Sequence, residues 1–253
     1  MSKKAYSIKG TLYVGLLDSN YALVSGYKKF GEVYPFTMNV TTAKKELKSR
    51  MKATAGQTRY SVTRLDTVDG KMTCYEIDDD TMAYLLAGTA TTNTGTSGTV
   101  TDEAVTTVHD EWVNMAQQDI STVVVQDVTD TTTYALGTDY ELNLDLGMIK
   151  VLSTGTILNA AVLHVDYAYA AQTGATVTIG DNPTIRVAML LDGENEVDNT
   201  DIRLTLDSVV ISSETGFNFI TEPDSDFEAP EFNLAIETLE GQTSPGSVNG
   251  LAL

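Results

Sequence analysis

Apolar and polar positions alternate through most of this chain. Tyr6, Ile8, Leu12, Val14 and Leu16 alternate with Ser7, Lys9, Thr11 and Tyr13, the two-residue period of a half-buried strand. An opening strand is predicted over Tyr6 to Leu17. Arg59 to Leu65 and Met72 to Ile77 read the same way, and Asp69-Gly70 between them favours a hairpin turn because that pair tolerates positive φ. Further strands are predicted at Thr176 to Ile179, Ile185 to Leu191, Ile202 to Ile211 and Glu231 to Leu239. Abundant Thr and only five Pro suit sheet. One helix is predicted, over about Asp79 to Ala87. Asp78, Asp79 and Asp80 suit the open N–H groups at its start, Met82, Leu85 and Leu86 form an apolar stripe, and Gly88 follows.

Residues 38–57 fit neither period. The stretch Met38 to Lys52 within them is bounded by Pro35 and Gly56 and carries Lys44, Lys45, Lys48, Arg50 and Lys52. A long projecting loop is expected here, and loops of this length are commonly functional or disordered. The expectation extends to a segment that orders only when it meets a partner.

Ala90 to Thr99 is small, polar and flexible in composition, and Ala170 to Gly174 is a shorter joint of the same kind. Between them Val123-Val124-Val125, Met148 to Leu152, and Ala161, Leu163, Val165 and Tyr167 have strand patterns of their own. The chain therefore reads as a discontinuous β-domain, 1–96 with 171–253, interrupted by a small β-domain at 97–170. Residues 241–253 are expected to form a flexible C-terminal tail.

The formal net charge of the 253 residues is −19. It is unevenly spread. Residues 1–65 hold twelve bases and three acids; the rest holds four bases and 32 acids. A strongly acidic chain is repelled by nucleic acid and by anionic membranes. Two oppositely charged poles on one chain allow copies to attract head to tail. No run approaches the length of about 18 apolar residues needed for a membrane helix, and no secretory signal is evident in the opening residues.

Little chemistry is encoded. One Cys and two His exclude a disulfide framework and a Cys-rich zinc site. Cys74 is expected to be a buried, inert thiol, and His164 a solvent-facing strand residue. Nucleophile-elbow, Walker and dinucleotide-binding signatures are missing. The acidic clusters 78–80, 192–198 and 224–228 do not match a calcium loop. They are read as a helix start, a hairpin turn and a loop. Catalytic residues, metal ligands and cofactors are therefore not expected.

The order of strand, basic loop, hairpin, short helix and returning strands resembles the major tail tube protein of long-tailed bacteriophages, of the siphovirus type. The resemblance rests on Tyr6 to Leu17, 38–57, Tyr60 to Ile77, Asp79 to Ala87, Ile185 to Leu191, Ile202 to Ile211, Phe217 to Ile220 and Glu231 to Leu239. It covers roughly 6–88 and 174–240. The insert is similar to extra domains carried outside such tubes.

The resemblance implies a mainly-β, tail-tube-type β-sandwich or barrel, and a virion structural subunit rather than an enzyme. Such subunits form hexameric rings that stack into a tube. The tube encloses the tape-measure protein, meets tail-completion and head–tail connector proteins, and conducts DNA by transient, non-specific passage. The protein would be made in the host cytoplasm and end in the virion tail, without membrane contact. Lys44, Lys45, Lys48, Arg50 and Lys52 are the expected subunit interface. Two alternatives are a terminator or baseplate ring on the same fold, and a carbohydrate-binding β-sandwich using some of the twelve Tyr.

Overall fold

The computed structural model describes residues 5–223 and 227–249. The chain is mainly β, with one short helix. It divides into two compact units, Met1–Thr91 with Val177–Leu253, and Thr92–Thr176. In chain order the first unit opens with β1 (Ile8–Leu16), β2 (Lys28–Lys29), β3 (Val33–Lys48), β4 (Thr58–Cys74) and α1 (Asp79–Leu85). The chain leaves it through β5 (Ala90–Thr92). The second unit contains β6 (Gly98–Thr106), β7 (Trp112–Asn114), β8 (Ile120–Asp127), β9 (Tyr140–Asn143), β10 (Met148–Val151) and β11 (Val162–Tyr169). The return runs through β12 (Ala175–Val177), which pairs with β5. The first unit then resumes with β13 (Ile185–Asn195), β14 (Thr200–Ser213), β15 (Glu231–Ile236) and β16 (Gly246–Asn249).

The first unit is one eight-stranded sheet in the order β2-β1-β13-β14-β15-β4-β3, with β16 also on β14. The pairings are antiparallel throughout. Alternation builds its core. Leu12 and Val14, Ile185, Val187 and Met189, Leu204 and Leu206, and Phe232, Leu234 and Ile236 share one cluster. The register shifts between Val187 and Met189, which face Val209 and Leu206. That bulge at Asp207-Ser208 lets both Leu206 and Val209 point inward although three positions separate them. Ser208, fully buried there, donates to Glu237 (3.0 Å), and Glu237 pairs with Arg186 (3.1 Å).

Helix α1 forms where its sequence predicts. Asp78 accepts from the Thr81 amide (2.8 Å) and hydroxyl (2.7 Å), capping the open N–H groups. Leu85 joins the core, with Met82 and Leu86 packed against it. Gly88 is required by close approach, because a Cβ there would lie 1.8 Å from the Thr178 carbonyl oxygen.

The second unit is built from two three-stranded sheets, β6-β11-β8 and β7-β10-β9. They share a core of Val105, Val125, Ile149, Val151, Leu163, Val165 and Tyr167. Buried Asp139 accepts from the amides of Ala135 (2.9 Å) and Thr156 (2.8 Å), and these bonds lower its pKa.

Four expectations need correction. Asp69-Gly70 is not a turn: Gly70 lies inside β4, opposite Met38 on β3 and Leu234 on β15. A Cβ on it would stand 2.8 Å from the Thr37 carbonyl oxygen, so the glycine serves close strand approach. Residues 38–48 are not loop but the outer part of β3; only 49–57 turn. The segment after 240 is not all tail, since Gly246–Asn249 pairs with Leu206 to Arg203; residues 250–253 lie outside the described residues. Finally, among the described residues the sheet does not close on itself. It ends at β3 on one side and at short β2 on the other.

Candidate self-association surface

Strands β3 and β4 are much longer than the sheet that holds their base. β15 pairs only with Asp69 to Thr73 of β4. Beyond Asp69 the hairpin continues as a two-stranded arm, with Thr42 facing Leu65, Lys45 facing Val62, and Lys48 facing Thr58. Nearly all its side chains are exposed, on both faces. Among the described residues no strand pairs with the outer edge of β3 or with the inner edge of β4 before Asp69.

The local sequence explains the arm. Val40, Thr41, Thr42, Thr58, Tyr60, Val62, Thr63 and Thr67 are β-branched or aromatic, the types that favour extended backbone. The tip is closed by hydrogen bonds. Ser49 N–H donates to the Gln57 carbonyl (2.7 Å), Gly56 N–H to the Ser49 carbonyl (2.9 Å), and the Ser49 and Thr54 hydroxyls meet at 2.7 Å. Gly56 adopts φ +86°, a left-handed conformation that glycine takes without strain.

Register sorts the arm's side chains. Residues directly opposite share a face. Ala43, Lys45 and Leu47 lie with Arg64, Val62 and Tyr60; Thr42, Lys44 and Glu46 lie with Leu65, Thr63 and Ser61. The first face therefore carries Leu47, Tyr60 and Val62 toward the tip, with Lys45 and Arg64 beside them. Leu47, Tyr60 and Val62 are 58%, 63% and 53% exposed. Arg59 also stands over the Tyr60 ring, 5.7 Å from its centroid. On the second face Lys44 pairs with Glu46, whose carboxyl is held below its usual range by that hydrogen bond and charge.

The five expected interface bases therefore divide. Lys44 and Lys45 lie on opposite faces of β3, Lys48 ends the strand, and Arg50 and Lys52 belong to the tip. Among the described residues Lys45, Lys48, Arg50, Lys52, Arg59 and Arg64 make no ion pair. Residues 41–67 hold seven bases against Glu46 and Asp66. Arg59, Arg64 and the apolar residues of β4 belong to the same surface. Arg59 to Leu65 is legible as a strand in the sequence; its pairing with 42–48, which puts these residues on one surface with the lysines, is not.

Elsewhere several acids of the first two acidic clusters have partners among the described residues. Asp78 caps α1 and Asp80 pairs with Lys28. Glu194 pairs with Lys9 (3.2 Å) and Glu196 accepts from the Ser7 hydroxyl (2.6 Å). Asp224 and Asp226 lie outside the described residues. Cys74 is buried, donates to the Glu76 carbonyl (2.9 Å), and has its pKa raised by burial. No described helix is long and apolar enough to cross a membrane.

The family model for a protein of unknown function, UCP028589, matches residues 5–246, and the chain belongs to that family. No curated protein matches it.

Proposed function

We propose that this chain is a structural subunit of a bacteriophage tail tube, assembling through its β3–β4 arm into stacked rings. The observation that carries the reading is the arm itself: a ribbon with two open edges, unpaired bases and exposed apolar side chains. An isolated two-stranded ribbon is at best marginally stable in water. An open edge is also a template for another chain, which natural proteins cover, twist or blunt. Docking on another copy offers a role to both.

The charge split supports the same partner. The arm is basic, while residues 66–253 hold 32 acids against four bases. A heterologous contact between unlike surfaces closes into a ring or continues as a filament, according to its rotation. In this reading the sheet's two unlike ends, β3 and β2, meet neighbouring copies, so that sheets from several subunits complete a barrel that one chain leaves open. The enclosed tape-measure protein and the passing DNA would meet a wall poor in cations, and repulsion lets a polyanion slide. The work is geometric and needs no catalytic group.

Negative-stain electron microscopy of the concentrated protein tests the proposal. Stacked rings or tubes are expected. Single rings that never stack would instead support a terminator or baseplate component, and dispersed particles at all concentrations would refute self-assembly.

A further inference from the structure

The second unit carries a cluster that the assembly reading does not use. Leu163, Val165 and Tyr167 of β11 point into its core, which leaves His164 and Asp166 on the outward face. His164 pairs in register with Ala104 of β6 and Gln126 of β8. Two carboxylates reach it from different elements. Asp102 lies where the β6–β11 register shifts, and its amide donates to the Asp166 carboxylate (2.7 Å). Asp130 lies in the turn after β8, where Asp127 accepts from the amides of Thr131 (2.8 Å) and Thr132 (3.0 Å). The His164 Nδ1 is 2.8 Å from Asp130 Oδ1 and 3.9 Å from Asp102 Oδ1. Ligand atoms of the three residues all lie within 4.8 Å of one another.

We propose that Asp102, Asp130 and His164 bind a divalent first-row transition cation of the Zn2+ type. A zinc ion holds nitrogen and carboxylate oxygen at about 2.0–2.2 Å, so tetrahedral ligand atoms stand roughly 3.3–3.5 Å apart. The two measured separations bracket that spacing, and a small rotation of either half-exposed carboxylate reaches it.

The donor set decides the class of ion. One imidazole with two carboxylates suits zinc and its neighbours. Calcium prefers six to eight oxygens and is disfavoured here. Local charge points the same way. The second unit has eleven carboxylates, one lysine and no arginine, and that lysine, Lys150, is engaged by Glu141 and stands over the Trp112 ring. Among the described residues no lysine or arginine pairs with Asp102, Asp130 or Asp166. A hydrogen-bonded Asp130–His164 pair alone accounts for the shorter contact. Asp102 adds a second carboxylate beside the imidazole, and that carboxylate accepts no hydrogen bond among the described residues. Three protein ligands leave coordination positions to water, as in open metal sites.

Isothermal titration of the tag-free full chain with ZnCl2, and in parallel with CaCl2, tests the site. One Zn2+ per chain is expected, bound more tightly than Ca2+. Even residues one shell removed from a metal change affinity by about 10–100-fold, so His164→Ala and Asp130→Asn should each weaken Zn2+ binding by at least about 100-fold, while His109→Gln leaves it unchanged. Asp130→Asn preserves shape and keeps the test decisive if His164→Ala fails to fold. Unchanged affinity in these two variants, no saturable binding by the parent, or tighter binding of Ca2+ would overturn the proposal.

Discussion

Replacing Leu47, Tyr60 and Val62 together by threonine should leave the subunit folded and disable its assembly. The three side chains lie side by side on one face of the arm, by the pairings Leu47–Tyr60 and Lys45–Val62. Each keeps more than half its surface open, at 58%, 63% and 53%. Burying a large apolar side chain completely stabilises by about 1.5–3 kcal/mol. The part still open is therefore worth roughly 1–1.5 kcal/mol per side chain, or about 3–5 kcal/mol for the three on docking. Threonine keeps the β-branched geometry that favours strand, but it removes most of that apolar area. A loss of about 2–4 kcal/mol corresponds to roughly a 30- to 1,000-fold rise in the concentration at which copies associate. Exposed substitutions of this kind change folding stability by only about 0.5 kcal/mol each. Sedimentation velocity across a concentration series reads the first quantity, and thermal unfolding monitored by circular dichroism reads the second. An unchanged association midpoint in a variant with unchanged unfolding would refute the reasoning, because the face would then remain open in the assembly.

Other outcomes follow from the same structure. Reversing Lys44, Lys45, Lys48 and Arg50 to Glu should block assembly without unfolding the chain, and raised salt should weaken parent assembly, since charges are screened beyond about 10 Å at 0.1 M; negative-stain images of intact tubes from the variant would contradict this. Phe232→Ala, at a fully buried position in the centre of the sheet core, should cost about 3–5 kcal/mol in chemical denaturation. The Asp127 carboxyl is held at about 2 by the Thr132 amide, the Thr129 hydroxyl and further bonds from Thr131. Because its folded pKa lies below the unfolded value, its stabilising effect is full above about pH 4 and is lost as pH falls toward 2. Asp127→Asn should therefore flatten the acid dependence of unfolding in that window, as read by circular dichroism against pH.

Parts of this architecture were plain in the sequence and parts were hidden, for physical reasons. Where a strand buries one face, as at Leu12, Val14, Phe232 and Leu234, alternation marks it. Helix α1 was legible because Asp78, the Met82/Leu85/Leu86 stripe and Gly88 agree. The β3 half of the arm was illegible because both faces of residues 38–48 meet solvent and leave no burial pattern to reveal a period, whereas Arg59 to Leu65 on the β4 half reads as strand. Asp69-Gly70 misled because a glycine needed for close approach to Thr37 and Leu234 looks, in sequence, like one needed for positive φ. The bulge at Asp207-Ser208 shifts the alternation of β14, which a fixed period cannot follow. The bases Lys44, Lys45, Lys48, Arg50 and Lys52 were visible as a cluster, but Leu47, Tyr60 and Val62 joined them only through the register of β3 on β4. The convergence of Asp102, Asp130 and His164 spans 62 positions and depends on the β6-β11-β8 pairing, so no local motif announces it.

Hydrogen exchange of the arm is the most direct measurement of the central claim. The full chain is compared at a dilution that holds single subunits and at a concentration that drives association. If the β3–β4 arm docks on a second copy, amides in 41–48 and 58–67 gain protection on concentration, while core amides of β13 and β14 stay as they were. Equal exchange of the arm in both samples would contradict the account.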